Sequence, residues 1–255
     1  MYVVNKCTVT PVRQEPSEGS EQLTQLLFGE VCEVLDHLPR WTKVRSQVDG
    51  QEGWVDFKMV VPDEIGENWV LPTTVVATPI ALATSLDNGE EMLLTLGTRL
   101  PNYTHGIFEI LGKQYLIDPS AVDHSQLTIE DVAQSLLNAP YLWGGKNILG
   151  LDCSGFTQVV YSVFGVNLLR NAREQMTQGE VVASLAEAQP GDLAFFDHAD
   201  RDPKATNISH VGILLDHQTI IHCSGNVHID MIDEQGIHLE DGELTHHLVQ
   251  IRRYF

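Results

Sequence analysis

The chain has 255 residues, 43% of them hydrophobic and 20% charged, and its 35 acids against 15 Lys and Arg give a formal net charge of −20. That length holds one large or two to three small folded units with modest cores, and the composition is not that of a disordered chain. The acidic surplus repels nucleic-acid phosphates and anionic lipid surfaces, and only the terminal pair Arg252-Arg253 offers clustered positive charge, so neither nucleic acid nor membrane is expected as a partner.

In chain order, the first 120 residues show short apolar runs broken by Gly, Pro, Asn and Asp, the pattern of small all-β barrels. A faint repeat runs through them: Thr10-Pro11-Val12 returns as Thr78-Pro79-Ile80, and Leu26-Leu27-Phe28-Gly29 as Leu94-Thr95-Leu96-Gly97. Trp41-Thr42-Lys43-Val44 and Gly53-Trp54-Val55 read as closing strands of the first barrel, with both tryptophans in its core. Gly106–Leu111 and Tyr115–Ile117 close the second. Joints are placed near Pro62 and Pro119, which divides the chain into 1–62, 63–120 and 121–255.

Thr128-Ile129-Glu130-Asp131 then opens a helix with a capping-box start, and Pro140 closes it. A glycine-rich loop from Trp143 to Gly150 leads into Asp152-Cys153-Ser154-Gly155-Phe156. The apolar residues Phe156, Val159, Val160, Val163 and Phe164 keep the spacing of one helical face. Cys153 therefore falls in the first turn, where free N–H groups and the helix dipole favour a thiolate. The alternative is a buried, inert cysteine.

Pro190-Gly191-Asp192 is a turn and Leu193–Phe196 a buried strand. Ser209–Asp216 and Thr219–Ser224 are two more strands. A three-residue loop (215–217) sets His210 directly opposite His222, with Cβ atoms roughly 4.5–5.5 Å apart. A two-residue loop pairs His210 with Cys223 instead and turns His222 away. In the first register His210 can take the Cys153 proton while His222 fixes its ring, the logic of nucleophile, base and orienting group. Helices first and antiparallel strands afterwards make an α+β unit.

Taken together, Tyr141-Leu142-Trp143-Gly144-Gly145, Asp152–Phe156, Arg170, Gln175, Gly191–Phe196, His210-Val211-Gly212 and Ile221-His222 resemble the NlpC-type, papain-like cysteine peptidases of bacterial cell-wall peptides. Trp41–Val44 with Gly53–Val55 resembles a bacterial SH3-like domain, and the repeat extends that likeness to the second barrel. The fold implied is two small all-β SH3-like barrels followed by an α+β papain-like cysteine peptidase domain. By the resemblance Cys153 is the nucleophile, His210 the base and His222 the third polar residue, while Tyr141 and the Cys153 N–H hold the oxyanion. Asp152 and Ser154, with Trp143 and Arg170, line the substrate pocket, although Asp and Ser also serve simply as helix caps. Members that read a free amino terminus carry Asp after that Arg; here Asn171 stands there, and Glu30 is the carboxylate that could serve instead.

The implied substrate is a muropeptide, cut at the γ-D-glutamyl–diamino acid bond. A recycling enzyme for free L-Ala-γ-D-Glu peptides, a wall hydrolase anchored by its SH3-like domains, and a non-catalytic wall-binding protein are the three readings. No cofactor, metal or protein partner is expected. A zinc set of Cys153, His210, His222 and Cys223 lacks close ligand spacing, and Cys223 alternates away from His222. His198, His217, His228, His238, His246 and His247 are placed at the surface. Four cysteines (Cys7, Cys32, Cys153, Cys223) are too few for a disulfide framework. No apolar run reaches the roughly 18 residues that span a bilayer. The stretch Met1–Cys7 lacks a signal's apolar core, so the protein is expected in the cytoplasm if Met1 is the natural start, and in the periplasm or outside the cell otherwise.

Overall fold

Alternating inward and outward side chains turn the first 63 residues into seven strands: β1 (Tyr2–Asn5), β2 (Val9–Arg13), β3 (Gln22–Leu27), β4 (Val31–Leu38), β5 (Trp41–Ser46), β6 (Glu52–Asp56) and β7 (Val60–Asp63). The structure is a computed structural model and describes residues 1–63, 69–198, 207–239 and 241–255, the side chains of Asp63 and His198 excepted. It divides into two units, residues 1–126 with 143–148, and residues 127–142 with 149–255.

The seven strands form one sheet in the order β3-β2-β6-β5-β4-β1-β7. Val3, Val12, Leu26, Cys32, Val44, Val55 and Val60 fill its core. Trp41 and Trp54, expected in that core, are instead half-buried on the opposite faces of their strands. The cause lies at Gly53, where a Cβ would come within 2.5 Å of Val12 Cγ1 and 2.8 Å of Arg13 O. With Gly53 and Val55 facing inward, strand alternation turns Trp54 out.

Strands β8 (Ile80–Ser85), β9 (Glu91–Thr95), β10 (Ile107–Ile110) and β11 (Lys113–Ile117) form a second sheet in the order β10-β11-β8-β9. The repeat corresponds to one shared turn: Glu30 N–H bonds Leu27 O at 3.1 Å, Thr98 N–H bonds Thr95 O at 3.0 Å, and Gly29 and Gly97 have φ of 81° and 89°. The two sheets do not have separate cores, since Val4, Phe28 and Val31 pack with Val76, Ala83, Leu94, Phe108 and Tyr115. Pro62, expected at a joint, lies inside β7 opposite Val3. β7 is an edge strand, where a missing N–H costs no ladder bond. Residues 1–62 and 63–120 thus share one unit, which also takes in 143–148 from the segment assigned to 121–255.

In the second unit Thr128 and Asp131 form the expected capping box for α1 (Ile129–Gln134), which stops well before Pro140. Two short strands follow, β12 (Lys146–Asn147), grouped with the first unit, and β13 (Gly150–Leu151). Then come α2 (Cys153–Val163), α3 (Ala172–Gln175), β14 (Glu180–Val182), β15 (Leu193–His198), β16 (His210–Leu214), β17 (Thr219–Ser224), β18 (Asn226–Ile232), β19 (Gly236–His238) and β20 (Leu244–Arg253). The sheet order is β14-β20-β15-β16-β17-β18-β19, and β19 also pairs with β20, so the strands from β15 to β20 close on themselves. All eleven residues of α2 are buried, not only the predicted face, because β16 and β17 cover one side while α1 and α3 touch others. The unit is therefore mostly β. The α+β expectation holds in that the helices precede the large sheet, rather than in its proportions.

Candidate active site

The start of α2 is fixed by a buried charge network. Asp152 caps the helix, its Oδ1 accepting the Gly155 N–H at 2.7 Å. Arg170 grips the same carboxylate with two nitrogens, Nη1 to Oδ1 at 3.0 Å and Nη2 to Oδ2 at 2.5 Å, and its Nη1 also donates to Ser154 Oγ at 2.8 Å. Gln175 Nε2 donates to the Ser154 carbonyl at 3.0 Å, and its Oε1 accepts from Thr157 at 2.9 Å. Asp152, Ser154 and Arg170 thus bind one another and are buried. Asn171 donates to Glu174 Oε2 at 2.8 Å, beside the start of α3.

Cys153 is the first residue of α2 and is buried. Its sulfur lies 4.0 Å from Ser209 O and receives the Val211 N–H, so it rests against the backbone on both sides of His210. Burial first, and then the Asp152 carboxylate, push the thiol up to about 12, outweighing the N–H groups of Val211 and Ser154 and the charge of Arg170. Burial thus opposes the thiolate that the helix end favours.

His210 and His222 share one face, but in neither predicted register. His222 lies opposite Gly212, and Leu215 N–H bonds Thr219 O at 3.0 Å, so residues 216–218 make the turn. The slip by two from the first register preserves the face and makes the histidines diagonal neighbours. His210 Nε2 lies 2.8 Å from His222 Nδ1, and His222 Nε2 lies 3.1 Å from Asp230 Oδ2. Burial lowers the basicity of His222, and the bond to Asp230 only partly restores it. Asp230 in turn is held below the usual carboxylate range, first by His222 and also by His228. A carboxylate only accepts, so the neutral His222 ring carries its proton on Nε2 and takes one from His210 Nε2. On that assignment Nδ1 is the His210 nitrogen that carries no proton.

Tyr141 is partly exposed, its N–H bonding Gly225 O at 2.8 Å; burial first, and then the Cys153 thiol, raise its hydroxyl. Trp143, 60% exposed, groups with the first unit and donates its indole N–H to Glu21 Oε1 at 2.9 Å. Glu30 is buried against Lys146 Nζ at 3.1 Å, while its Oε2 has no partner among the described residues. Burial raises its carboxyl despite the lysine. Cys223 Sγ donates to Leu151 O at 3.1 Å. His210 and His222 spend nitrogens on each other, so the four-residue zinc set is not assembled.

Sequence reasoning missed three residues. Asp230 ends the histidine line, and His228 Nε2 meets the same Oδ2 at 3.1 Å. His246 is buried with its ring 4.4 Å from that of His210, not at the surface, because β20 lies beside β15 within the closed sheet. His217 also bonds Leu185 O at 2.8 Å, and His238 meets Asp233 at 2.9 Å; the His198 side chain lies outside the described residues. The signal for Asp230 was the tight turn at Gly225, which sets His228 opposite His222 and Asp230 two residues on.

Residues 138–248 match the NlpC/P60 family and residues 8–60 the bacterial SH3 domain. A Bacillus subtilis (strain 168) protein named gamma-D-glutamyl-L-lysine dipeptidyl-peptidase is 30% identical over 216 residues, 78% of this chain and 71% of that one. Dipeptidyl-peptidase 6 of Lysinibacillus sphaericus is 25% identical over 253 residues, covering 87% and 88% of the two chains. The crystal structure of an NlpC/P60 family protein from Bacillus cereus ATCC 10987 superposes with a TM-score of 0.79 at 18% identity, covering 100% of this chain and 99% of that one, which establishes a common fold. The chain belongs to the NlpC/P60 cysteine peptidase family, with a bacterial SH3 domain ahead of the family's own domain.

Proposed function

We propose that the protein hydrolyses the γ-D-glutamyl–diamino acid bond of murein peptides, acting on free L-Ala-γ-D-Glu-diamino acid peptides in peptidoglycan recycling. The observation that carries the chemistry is the line from His210 through His222 to Asp230, with the carbonyl of Ser209, the residue before His210, 4.0 Å from the Cys153 sulfur. The substrate class rests on the name of the Bacillus subtilis relative.

Cys153 sulfur attacks the γ-glutamyl carbonyl as its proton passes to His210 Nδ1. Tyr141 hydroxyl and the Cys153 N–H hold the oxyanion, each such donor being worth ~10²–10³ in turnover. Collapse expels the diamino acid amine, which takes the proton from His210. Water, deprotonated by His210, then releases L-alanyl-γ-D-glutamate from the thioester and restores the thiol. The papain-like element is this arrangement: nucleophile at a helix start, base and orienting group on neighbouring strands. Asp152, Ser154 and Arg170 shape the pocket at the nucleophile. Glu30, whose Oε2 has no partner among the described residues, is the carboxylate that Glu30→Ala tests. A cytoplasmic location is what recycling requires.

The SH3 match over residues 8–60 favours a second reading, an extracellular hydrolase anchored to the wall. Purified protein with L-Ala-γ-D-Glu-L-Lys, its N-acetylated form and intact peptidoglycan, followed by mass spectrometry, separates the two. The recycling reading expects rapid cleavage of the free peptide only. Equal rates on free and blocked peptides overturn it.

A further inference from the structure

We propose that His222, His228 and Asp230 form a zinc-class cation site whose occupancy switches off His210. His222 and His228 face each other across β17 and β18, and Asp230 lies two residues on, so strand pairing sets all three on one face. Their ligand atoms lie within 4.8 Å of one another, and both histidine Nε2 atoms are 3.1 Å from Asp230 Oδ2. Zinc with ligands at about 2.0–2.2 Å requires ligand–ligand edges of about 3.3–3.6 Å. Small side-chain movements satisfy that.

A second observation points to a cation. His228 Nδ1 lies 2.8 Å from the Asn226 carbonyl, which can only accept, so a neutral His228 carries its proton there. Its Nε2 then turns a bare lone pair toward a carboxylate oxygen. Two lone pairs at that distance call for a positive centre between them, either a proton or a metal. An N–H held by a backbone carbonyl is also the usual support behind a metal-binding histidine. The side chains of His228 and Asp230 are 30% and 15% exposed against 1% for His222, so the outer two face the solvent from which an ion and a completing water would come. Two imidazoles and one carboxylate suit zinc rather than calcium or magnesium, and the net charge of −20 favours cations generally.

The consequence follows from counting protons. In the working arrangement His210 donates from Nε2 to His222 Nδ1, and His222 donates from Nε2 to Asp230. Zinc on His222 Nε2 displaces that proton, so a neutral His222 must carry one on Nδ1 and donate back to His210 Nε2. The proton between the rings moves to His222 and the displaced one is taken up at His210 Nδ1, so these two rings keep their count, while a proton held at His228 Nε2 is released to solvent. His210 Nδ1 can then no longer accept from Cys153. A metal at the far end of the line would thus reverse its hydrogen bonds without touching the nucleophile.

The test uses the full chain with Cys153→Ala, which removes the thiol as a competing ligand. After chelator treatment, zinc is titrated against a chromophoric zinc indicator at neutral pH, and long-range ¹H–¹⁵N spectra report the histidine tautomers. The expected result is one zinc per chain, binding weakened at least tenfold by adding either His228→Gln or Asp230→Asn, and a shift of the His210 proton from Nε2 to Nδ1. In the enzyme with its thiol, zinc inhibition relieved by a chelator should need at least tenfold more zinc after His228→Gln. Zinc binding unchanged by both substitutions, or absent because His228 simply holds a proton, overturns the proposal. Unaltered tautomers at full occupancy overturn the switching. The binding and tautomer arms use no substrate, so their failure is separate from failure of the proposed peptidase reaction.

Discussion

Each unit buries a carboxylate against a cation, and the two pairs are built differently. In the second unit Asp152 uses both oxygens on Arg170, which also holds Ser154. In the first, Glu30 meets Lys146 through one oxygen, and the other has no partner among the described residues. The planar guanidinium matches a carboxylate at two points, whereas an ammonium is a point charge. A fully bonded pair fixes geometry, here the first turn carrying Cys153. A half-bonded pair keeps an oxygen that can take a proton or a ligand's N–H.

The largest expected effect lies at the centre that the complete pair supports. Cys153→Ala or His210→Ala should cost on the order of 10⁴–10⁶ in kcat, and the double variant little more, since the residues act in one step. Multiplicative losses would separate them. The pairs themselves come next. Arg170→Met leaves Asp152 buried without its cation and should cost about 3–5 kcal/mol of stability in urea unfolding. Lys146→Met should cost less, about 1–3 kcal/mol, because Glu30 can bind a proton instead. Equal costs would erase the distinction.

Acidity sharpens the contrast with opposite signs. Burial raises the Glu30 carboxyl, so its contribution is fully present below the unfolded carboxylate range and is lost as pH rises through the folded value. Asp230 is lowered by His222, so its contribution is present above that range and is lost as pH falls through the folded value. Glu30→Gln should flatten the loss of stability on the alkaline side of that range, and Asp230→Asn the loss on the acid side. Unfolding measured between pH 3 and 7 checks both, and slopes changing in the same direction would refute the assignment. His246→Phe is the smallest change. It keeps a ring over His210, so the barrier should rise by less than about 1.4 kcal/mol, under tenfold in kcat.

The sequence carried the parts that depend on local period. Helical spacing located Cys153 at the start of α2, and period-two alternation kept His210 and His222 on one face even though the register differed by two. What it did not carry depends on pairing at a distance. Asp230 joins the site only through the β17–β18 register, Arg170 reaches Asp152 across the fold, and His246 arrives with β20. The shared core of the two N-terminal sheets was hidden for the same reason: alternation tells which residues face inward, not which sheet they meet. For Cys153 the helix position was legible and its burial was not.

Attack of Cys153 on the γ-glutamyl carbonyl, with the histidine line as its base, is the proposed step on which the rest depends. Acid-quenched mass spectrometry of enzyme mixed with L-Ala-γ-D-Glu-L-Lys tests it directly, together with the hydrolysis rate of Cys153→Ala. The expected result is an L-alanyl-γ-D-glutamyl adduct on the peptide containing Cys153 and no measurable turnover by the variant. An adduct on another residue, or hydrolysis that survives Cys153→Ala, would contradict it.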